Sequence, residues 1–205
     1  PITIRGLKYD REWMIVTYNG VCLTQKTNTR MCLIKPMINE MDGFLELHFP
    51  DSNSVKINLD SDEFEPQMIS SLCQSKVCGD RIEGVDCGDI VAEWLCKVLC
   101  APDLRLIRQS KYDKRTQNKH TQELRPQALS LANQAQFLLI NTKSVEWLVK
   151  NVDDWSDIST ENDILARTVD RFRGNLIVQT TEPFEELEWK SLQIGDIKLI
   201  TEGVC

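Results

Sequence analysis

Short stretches of alternating apolar and polar residues dominate the first half of the chain. Glu12 to Tyr18 is rich in aromatic and β-branched residues, Asn19-Gly20 follows, and Val21 to Gln25 carries the pattern back. Strand formers on both sides of Asn-Gly predict a hairpin. Met31 to Ile38 is a further apolar run whose end Pro36 places near a sheet edge, because proline donates no ladder hydrogen bond. Asp42-Gly43 turns the chain into Phe44–Phe49, where Leu45, Leu47 and Phe49 share one face and Glu46 and His48 the other. On that alternation His48 reads as a solvent-face histidine rather than a ligand or base. Val55 to Leu59 alternates again, and Lys76 to Val85 has room for another short strand. Several short strands joined by tight turns predict a barrel or a sandwich.

The period then changes. Ile90, Val91, Trp94, Leu95, Val98 and Leu99 follow Asp86-Cys87-Gly88-Asp89 at helical spacing, which predicts an amphipathic helix with Asp86 as its cap and Asp89 at the positive end of its dipole. Cys87 beside a helix N-terminus has two readings, a reactive thiol of lowered pKa or a small residue packing the helix entry. Cys96 and Cys100, four apart, read as core filling. Leu104–Ile107 is a strand.

Arg108 to Gln127 is polar, with six basic residues against Asp113 and Glu123. It reads as a solvated connection, or as a flap over an anionic ligand, and forms a natural domain boundary. Phe137–Ile140 predicts a buried strand. Thr142 is placed to cap a helix carrying Val145, Leu148, Val149 and Val152, and Asp153–Ser159 is an acidic loop. A further helix starts at Ser159 or Thr160, carries Ile164, Leu165, Thr168 and Val169 on one face, and ends at Phe172. Gly195-Asp196 turns the chain into a last strand, Ile197–Ile200.

The stretch richest in candidate chemistry is Arg171-Phe172-Arg173-Gly174-Asn175, ahead of the apolar run Leu176–Val178. Arginine supplies a rigid charged fork suited to phosphates and flat oxyanions, and glycine lets the backbone approach a ligand closely.

Composition narrows the function classes. With 205 residues, 41% hydrophobic and 27% charged, the chain has enough apolar material for a real core. A net charge of −7 excludes a general nucleic-acid binder. No apolar run approaches the ~20 residues of a membrane helix, and Pro1–Arg5 has no signal-peptide core. Eight scattered cysteines without an internal Cys-x-x-Cys, and only two histidines, argue for reduced thiols in the cytoplasm and against a structural zinc. Both ends read as cut, as in a piece of a longer polypeptide.

Several stretches together resemble one family. Gly6-Leu7-Lys8-Tyr9-Asp10-Arg11-Glu12-Trp13-Met14, Leu23-Thr24-Gln25-Lys26, Asp86-Cys87-Gly88-Asp89, Arg171-Phe172-Arg173-Gly174-Asn175 and Phe184 with Glu188-Trp189 and Ile194-Gly195-Asp196 occur in the order found in MOSC proteins. Within that superfamily Asn19–Lys26, Arg30–Ile34 and Ser130–Asn141 resemble the C-terminal regions of eukaryotic molybdenum cofactor sulfurases. The mitochondrial amidoxime-reducing component shares both domains.

The resemblance implies a mainly β fold with a few helices (α+β). A MOSC N-terminal β-barrel-like domain would span residues 1–110, a basic linker 111–127, and a MOSC β-barrel domain 128–205, truncated at both ends. It implies binding of the molybdenum cofactor, a molybdopterin, with Arg11, Arg173 and Asn175 as contacts and Gln134, beside Ala135, near the ligand. Arg11 and Arg173 would fork onto phosphate or pterin oxygens, and Asn175 would read a pterin edge. In the full-length enzyme an N-terminal cysteine desulfurase domain using pyridoxal 5'-phosphate would supply sulfur from L-cysteine, and recipient molybdoenzymes of the xanthine dehydrogenase and aldehyde oxidase kind would be served. Two departures stand out. Only the first cysteine of the family's Cys-x-x-Cys is present, as Cys205, and the Pro-x-Lys-Ser segment that usually precedes Gly6 is absent. The resemblance also admits a reductase of N-hydroxylated compounds and a non-catalytic docking module. It names no relay cysteine; Cys87, beside the helix N-terminus, is a candidate.

Overall fold

The structure, a computed structural model, describes residues 1–60, 69–74, 81–116, 127–132, 134–152 and 161–204. Most of the acidic stretch after Leu59, the middle of the basic segment, the acidic loop 153–159, Cys78 and Cys205 fall outside the described residues. Two compact units emerge, Pro1–Gln134 and Ala135–Cys205.

The first unit is β-rich. A short ladder pairs β1 (Ile2–Thr3) with β2 (Gly6–Leu7). A four-stranded antiparallel sheet runs in the order β3-β9-β8-β7, from β3 (Trp13–Val16), β9 (Arg105–Gln109), β8 (Arg81–Asp86) and β7 (Ile69–Gln74). A three-stranded antiparallel sheet comprises β4 (Lys35–Asn39), β5 (Phe44–His48) and β6 (Val55–Asn58). The hairpin at Asn19-Gly20 forms as expected: Gly20 adopts φ 74° and Thr17 donates to the Val21 carbonyl. Its return arm is only one bridge, Val16 to Cys22. Pro36 lies on the edge strand β4, where its missing donor costs nothing.

Sheet and helix α1 (Asp89–Leu99) share one core. Ile15 and Leu106 face it, with Leu45 and Leu47 of β5, Val55 and Ile57 of β6, and Val91, Leu95 and Val98 of the helix. Met14, Val16, Ile82 and Ile107 form a second cluster, so β3 and β9 bury both faces, as their continuous apolar runs require. Leu95 is completely buried, a position worth about 2–3 kcal/mol of apolar burial.

Several local expectations are corrected. Ile90 is 79% exposed, because at 100° per residue it falls about 120° from the centre of the buried stripe. Asp86 does not cap the helix: it accepts from the Gly88 N–H at 2.8 Å and pairs with Arg105. Gly88 holds the N-cap position with no side-chain bond. Cys100, expected in the core, is exposed in a left-handed C-cap conformation. The run Met31–Ile38 divides into a 3₁₀ turn, Thr29–Leu33, and β4. That turn closes the helix, since Arg30 Nε and Asn28 Nδ2 donate to the Val98 and Leu99 carbonyls at 2.8 and 3.0 Å, answering orphan acceptors of the last turn. Strand β7 was not predicted; Ile-Ser-Ser-Leu-Cys-Gln breaks the alternation, and its register slips between Ser71 and Cys73. The expected barrel does not close among the described residues, whose strands sit in open sheets of two, three and four.

In the second unit β10 (Leu139–Asn141) pairs in parallel with β11 (Leu176–Val178). Parallel strands need a long crossover, supplied by α2 (Thr142–Lys150) and α3 (Glu161–Phe172). Strands β12 (Ser191–Ile194) and β13 (Ile197–Ile200) form the antiparallel hairpin turned at Gly195-Asp196. Asn141 rather than Thr142 caps α2, accepting from the Lys143 N–H at 3.1 Å. Residues Leu139 and Ile140 are half-buried rather than buried. Among the described residues no helix is long and apolar enough to cross a membrane.

Candidate functional site

Arg11 lies in the tight connection between β2 and β3. Its backbone is left-handed, with φ 51°, and Tyr9 two residues before it has φ 68°. Non-glycine residues enter this region at a cost of about 1–2 kcal/mol each, so neighbours must hold them there. Glu12 Oε1 accepts from the Tyr9 N–H at 2.9 Å, the Arg11 carbonyl accepts from Leu131 N–H at 2.9 Å, and the Glu12 carbonyl accepts from Gln109 N–H at 2.8 Å. The Arg11 guanidinium donates to Asp10 and is partly exposed.

Behind Arg11 the basic segment is not solvated throughout: Lys111, Tyr112, Lys114 and Thr116 are exposed, but Gln109, Asp113 and Arg115 are buried. Arg108 donates to the Leu59 carbonyl at 2.6 Å and to Glu12 at 3.2 Å, with its guanidinium 5.0 Å from the Trp13 ring centroid. Arg115 is buried, and its Nη1 donates to the Ser130 and Ala132 carbonyls, both at 2.6 Å. Buried Gln109 donates through Nε2 to Asp113 Oδ2 at 2.7 Å and to the Leu129 carbonyl at 2.9 Å. Nothing in the local sequence marks Arg115 as buried, because its partners are main-chain carbonyls 15 and 17 positions along the chain. The Oε1 of Gln109 is buried with no hydrogen-bond partner among the described residues. Buried acceptors are normally answered by protein, water or a ligand donor. Gln134, the last residue of the first unit, is exposed, and Ala135 opens the second.

In the second unit Arg173 follows the last residue of α3 and is exposed, in a left-handed conformation with φ 54°; its N–H donates to the Asp170 carbonyl at 3.0 Å. Glycine usually fills this position after a helix. Gly174 does not serve as a ligand approach. A Cβ there would lie 2.5 Å from Ile140 Cγ1 and 3.1 Å from Ile177 Cδ1, so its hydrogen lets α3 turn tightly into β11 against β10. The Asn175 N–H donates to the Leu138 carbonyl at 2.8 Å, and its Oδ1 accepts from the Leu138 N–H at 2.9 Å. With Oδ1 engaged, the expectation that Asn175 reads a pterin edge narrows to its Nδ2 donors. Arg173 and Asn175 thus flank one turn, while Arg11 and Gln134 belong to the other unit.

In the second unit the exposed Arg173 guanidinium, with the Asn175 carboxamide two residues on, has the chemistry that suits an anionic, oxygen-rich ligand. No group of three or more histidine, cysteine, aspartate or glutamate side chains among the described residues could hold a metal ion.

Cys87 does not supply a reactive thiolate. Burial, reinforced by the Asp86 carboxylate, pushes its thiol up to about 12 against the smaller opposing pull of Arg108. Thiol labelling with iodoacetamide at pH 8 is expected to modify exposed Cys32 and Cys100 at least about tenfold faster than Cys87, since only the thiolate reacts. Peptide mass spectrometry reads the rates, and a Cys87 labelled as fast as Cys32 would contradict the assignment.

Residues 1–102 match the family described as "MOSC N-terminal beta barrel domain". Over 98% of its length the chain is 47% identical to a protein named molybdenum cofactor sulfurase from Bombyx mori. It is 47% identical over its whole length to molybdenum cofactor sulfurase 3 of Aedes aegypti, and 45% identical to the molybdenum cofactor sulfurase of Drosophila melanogaster. The chain spans 24%, 26% and 23% of those three proteins. A solution structure from Bordetella bronchiseptica superposes with a TM-score of 0.40 at 22% identity, over 50% of this chain and 74% of that one, too slight a likeness to carry weight. Residues 1–102 therefore belong to the MOSC N-terminal β-barrel family, and the full length of the chain is similar to a region of eukaryotic molybdenum cofactor sulfurases.

Proposed function

We propose that this chain is the cofactor-holding part of a molybdenum cofactor sulfurase, for which the molybdenum cofactor is the substrate. The observation that carries this reading is the likeness to sulfurases along essentially the whole chain. The backbone strain at Arg11 and Arg173 supports the choice of residues. Both arginines occupy conformations that favour glycine, and keeping a side chain there at a cost in stability points to a use for the guanidinium.

When bound, the cofactor supplies a molybdenum centre at which an oxygen ligand is exchanged for sulfur. The residues of this chain bind and orient it. Arg11 and Arg173 neutralise phosphate and pterin oxygens, Asn175 donates from Nδ2, and Gln134 adds an amide. Sulfur reaches the site from L-cysteine through a pyridoxal-phosphate desulfurase domain elsewhere in the same polypeptide, and the products mature enzymes of the xanthine dehydrogenase and aldehyde oxidase kind.

The test supplies the intact polypeptide carrying this region with cofactor and ³⁵S-cysteine, and counts label in the released cofactor alongside alanine formed. Labelled cofactor is expected from the native protein. In Arg173→Gly the label falls about 10- to 100-fold, the loss of one or two charge-assisted hydrogen bonds, while alanine formation persists. Unlabelled cofactor from a desulfurase-active protein would overturn the reading. Reduction of an N-hydroxylated substrate with electrons from a haem or flavin partner would replace it with the reductase.

A further inference from the structure

We propose that Arg115 is a positioning residue for Arg11, acting through the segment Leu129–Ala132; the proposal rests on the cofactor reading above. The segment is almost wholly buried, with Leu129 at 1%, Ser130 at 3% and Ala132 at 7% exposure. One nitrogen of Arg115 holds the carbonyls of Ser130 and Ala132, both at 2.6 Å. Between them sits Leu131, whose N–H donates to the Arg11 carbonyl at 2.9 Å. The clamp is reinforced from the same side. The Arg115 carbonyl accepts from the Leu129 N–H at 3.1 Å, Gln109 holds the Leu129 carbonyl, and Thr116 bridges to Ala128.

The arrangement is a costly one if it serves packing alone. A buried guanidinium carries a large desolvation cost unless its hydrogen bonds are met, and an apolar side chain would fill the same volume. What the guanidinium supplies is directional: two carbonyls fixed at one point, with the intervening N–H held on Arg11. Arg11 needs such support, because its φ of 51° lies close to a second left-handed residue, Tyr9. Strained residues of this kind persist where surrounding bonds over-determine them. Relaxing the clamp frees the Arg11 backbone to leave the left-handed region and swings its guanidinium away from the ligand.

The test is a double-mutant cycle on cofactor affinity in the intact polypeptide, with molybdenum cofactor titrated anaerobically and bound pterin measured by fluorescence after oxidation. Arg115→Lys keeps the charge but ends one atom short of the Nη1 position that holds the two carbonyls, and is expected to weaken binding about tenfold. Arg11→Gly weakens it by at least as much. If Arg115 acts through Arg11, Arg115→Lys in the Arg11→Gly background costs less than about twofold further, because coupled residues are not additive. A packing role alone gives the same tenfold loss in both backgrounds, and that result overturns the proposal while leaving the cofactor reading intact. Unchanged affinity in Arg11→Gly overturns the assignment of Arg11 to the ligand and this proposal with it, while the cofactor reading is then judged on Arg173→Gly. If the lysine variant does not fold, as judged by near-ultraviolet circular dichroism, Arg115→Gln, which retains a neutral N–H donor, carries the same cycle.

Discussion

Gly174→Ala is expected to destabilise the second unit by about 2–3 kcal/mol and to weaken cofactor binding with it. The glycine does not sit in the left-handed region, so the effect is steric. Its new Cβ would meet Ile140 Cγ1 at 2.5 Å, Ile177 Cδ1 at 3.1 Å and Ile140 Cβ at 3.3 Å, closer than carbon atoms pack. Ile140 and Ile177 are paired across the parallel ladder, so neither can retreat without disturbing β10 or β11. Overpacking of this kind costs about 1–3 kcal/mol, and here the displaced strand is the one that Asn175 leads into. The measurement is thermal unfolding followed by far-ultraviolet circular dichroism. Ile140→Ala, added in the same chain, removes Cγ1, the nearest obstructing atom, and should recover part of the loss. A Gly174→Ala variant as stable as the native protein would contradict the geometry.

Asn141→Asp is expected to cost about 2–4 kcal/mol at pH 7, more than its single-atom change suggests. Asn141 is 1% exposed. Its Nδ2 donates to Thr180 Oγ1 at 2.7 Å and to Glu186 Oε2 at 2.5 Å, while its Oδ1 caps α2 and receives the Thr180 N–H at 3.4 Å. Ser144 completes the cluster, donating to Glu186 Oε1 at 2.6 Å and accepting from the Phe184 N–H at 2.9 Å. Aspartate keeps the cap but replaces the donor facing Glu186 with a second carboxylate. In the variant, like charges this close on a buried aspartate and half-buried Glu186 disfavour double ionisation, so the pair holds a proton above the unfolded range of about 4. The stability so gained is present below the unfolded pKa and lost as pH rises through the folded one. The deficit of Asn141→Asp should therefore shrink as pH is lowered from 7 toward 4. Urea unfolding across that range checks it, and a deficit independent of pH would show that Glu186 is not the partner.

The sequence carried much of the first unit, and the reason lies in the kind of contact involved. The hairpin at Asn19-Gly20, the faces of Phe44–His48 and Val55–Leu59, and helix α1 all rest on local periodicity, and their buried residues are those the pattern marks. Ile90 shows the limit: the period was right, but Ile90 lies about 120° from the centre of the buried stripe and is exposed despite its apolar side chain. At α2 the cap moved one residue, to Asn141, because that side chain also serves Thr180 and Glu186 some 40 positions away, and tertiary bonds of this sort leave no local trace. Arg115 is the clearest omission. In a run of basic residues it reads as solvated, yet it is buried on the Ser130 and Ala132 carbonyls. Arg11 and Arg173 were legible only through family resemblance; their left-handed backbones, shared with Tyr9, Asp51, Cys100, Asp103 and Phe184, are invisible to composition or spacing.

The most direct test of the central claim, that Arg11 and Arg173 hold the molybdenum cofactor, pairs affinity with stability in the same variants. Arg11→Gly and Arg173→Gly are made in the intact polypeptide, the bound pterin and molybdenum are quantified per chain, and unfolding by urea is followed in parallel. The account predicts cofactor lost from both variants while stability holds or rises by about 0.5–1 kcal/mol, since glycine relieves the positive-φ cost that each arginine bears. Cofactor retained at native stoichiometry in both variants would contradict it.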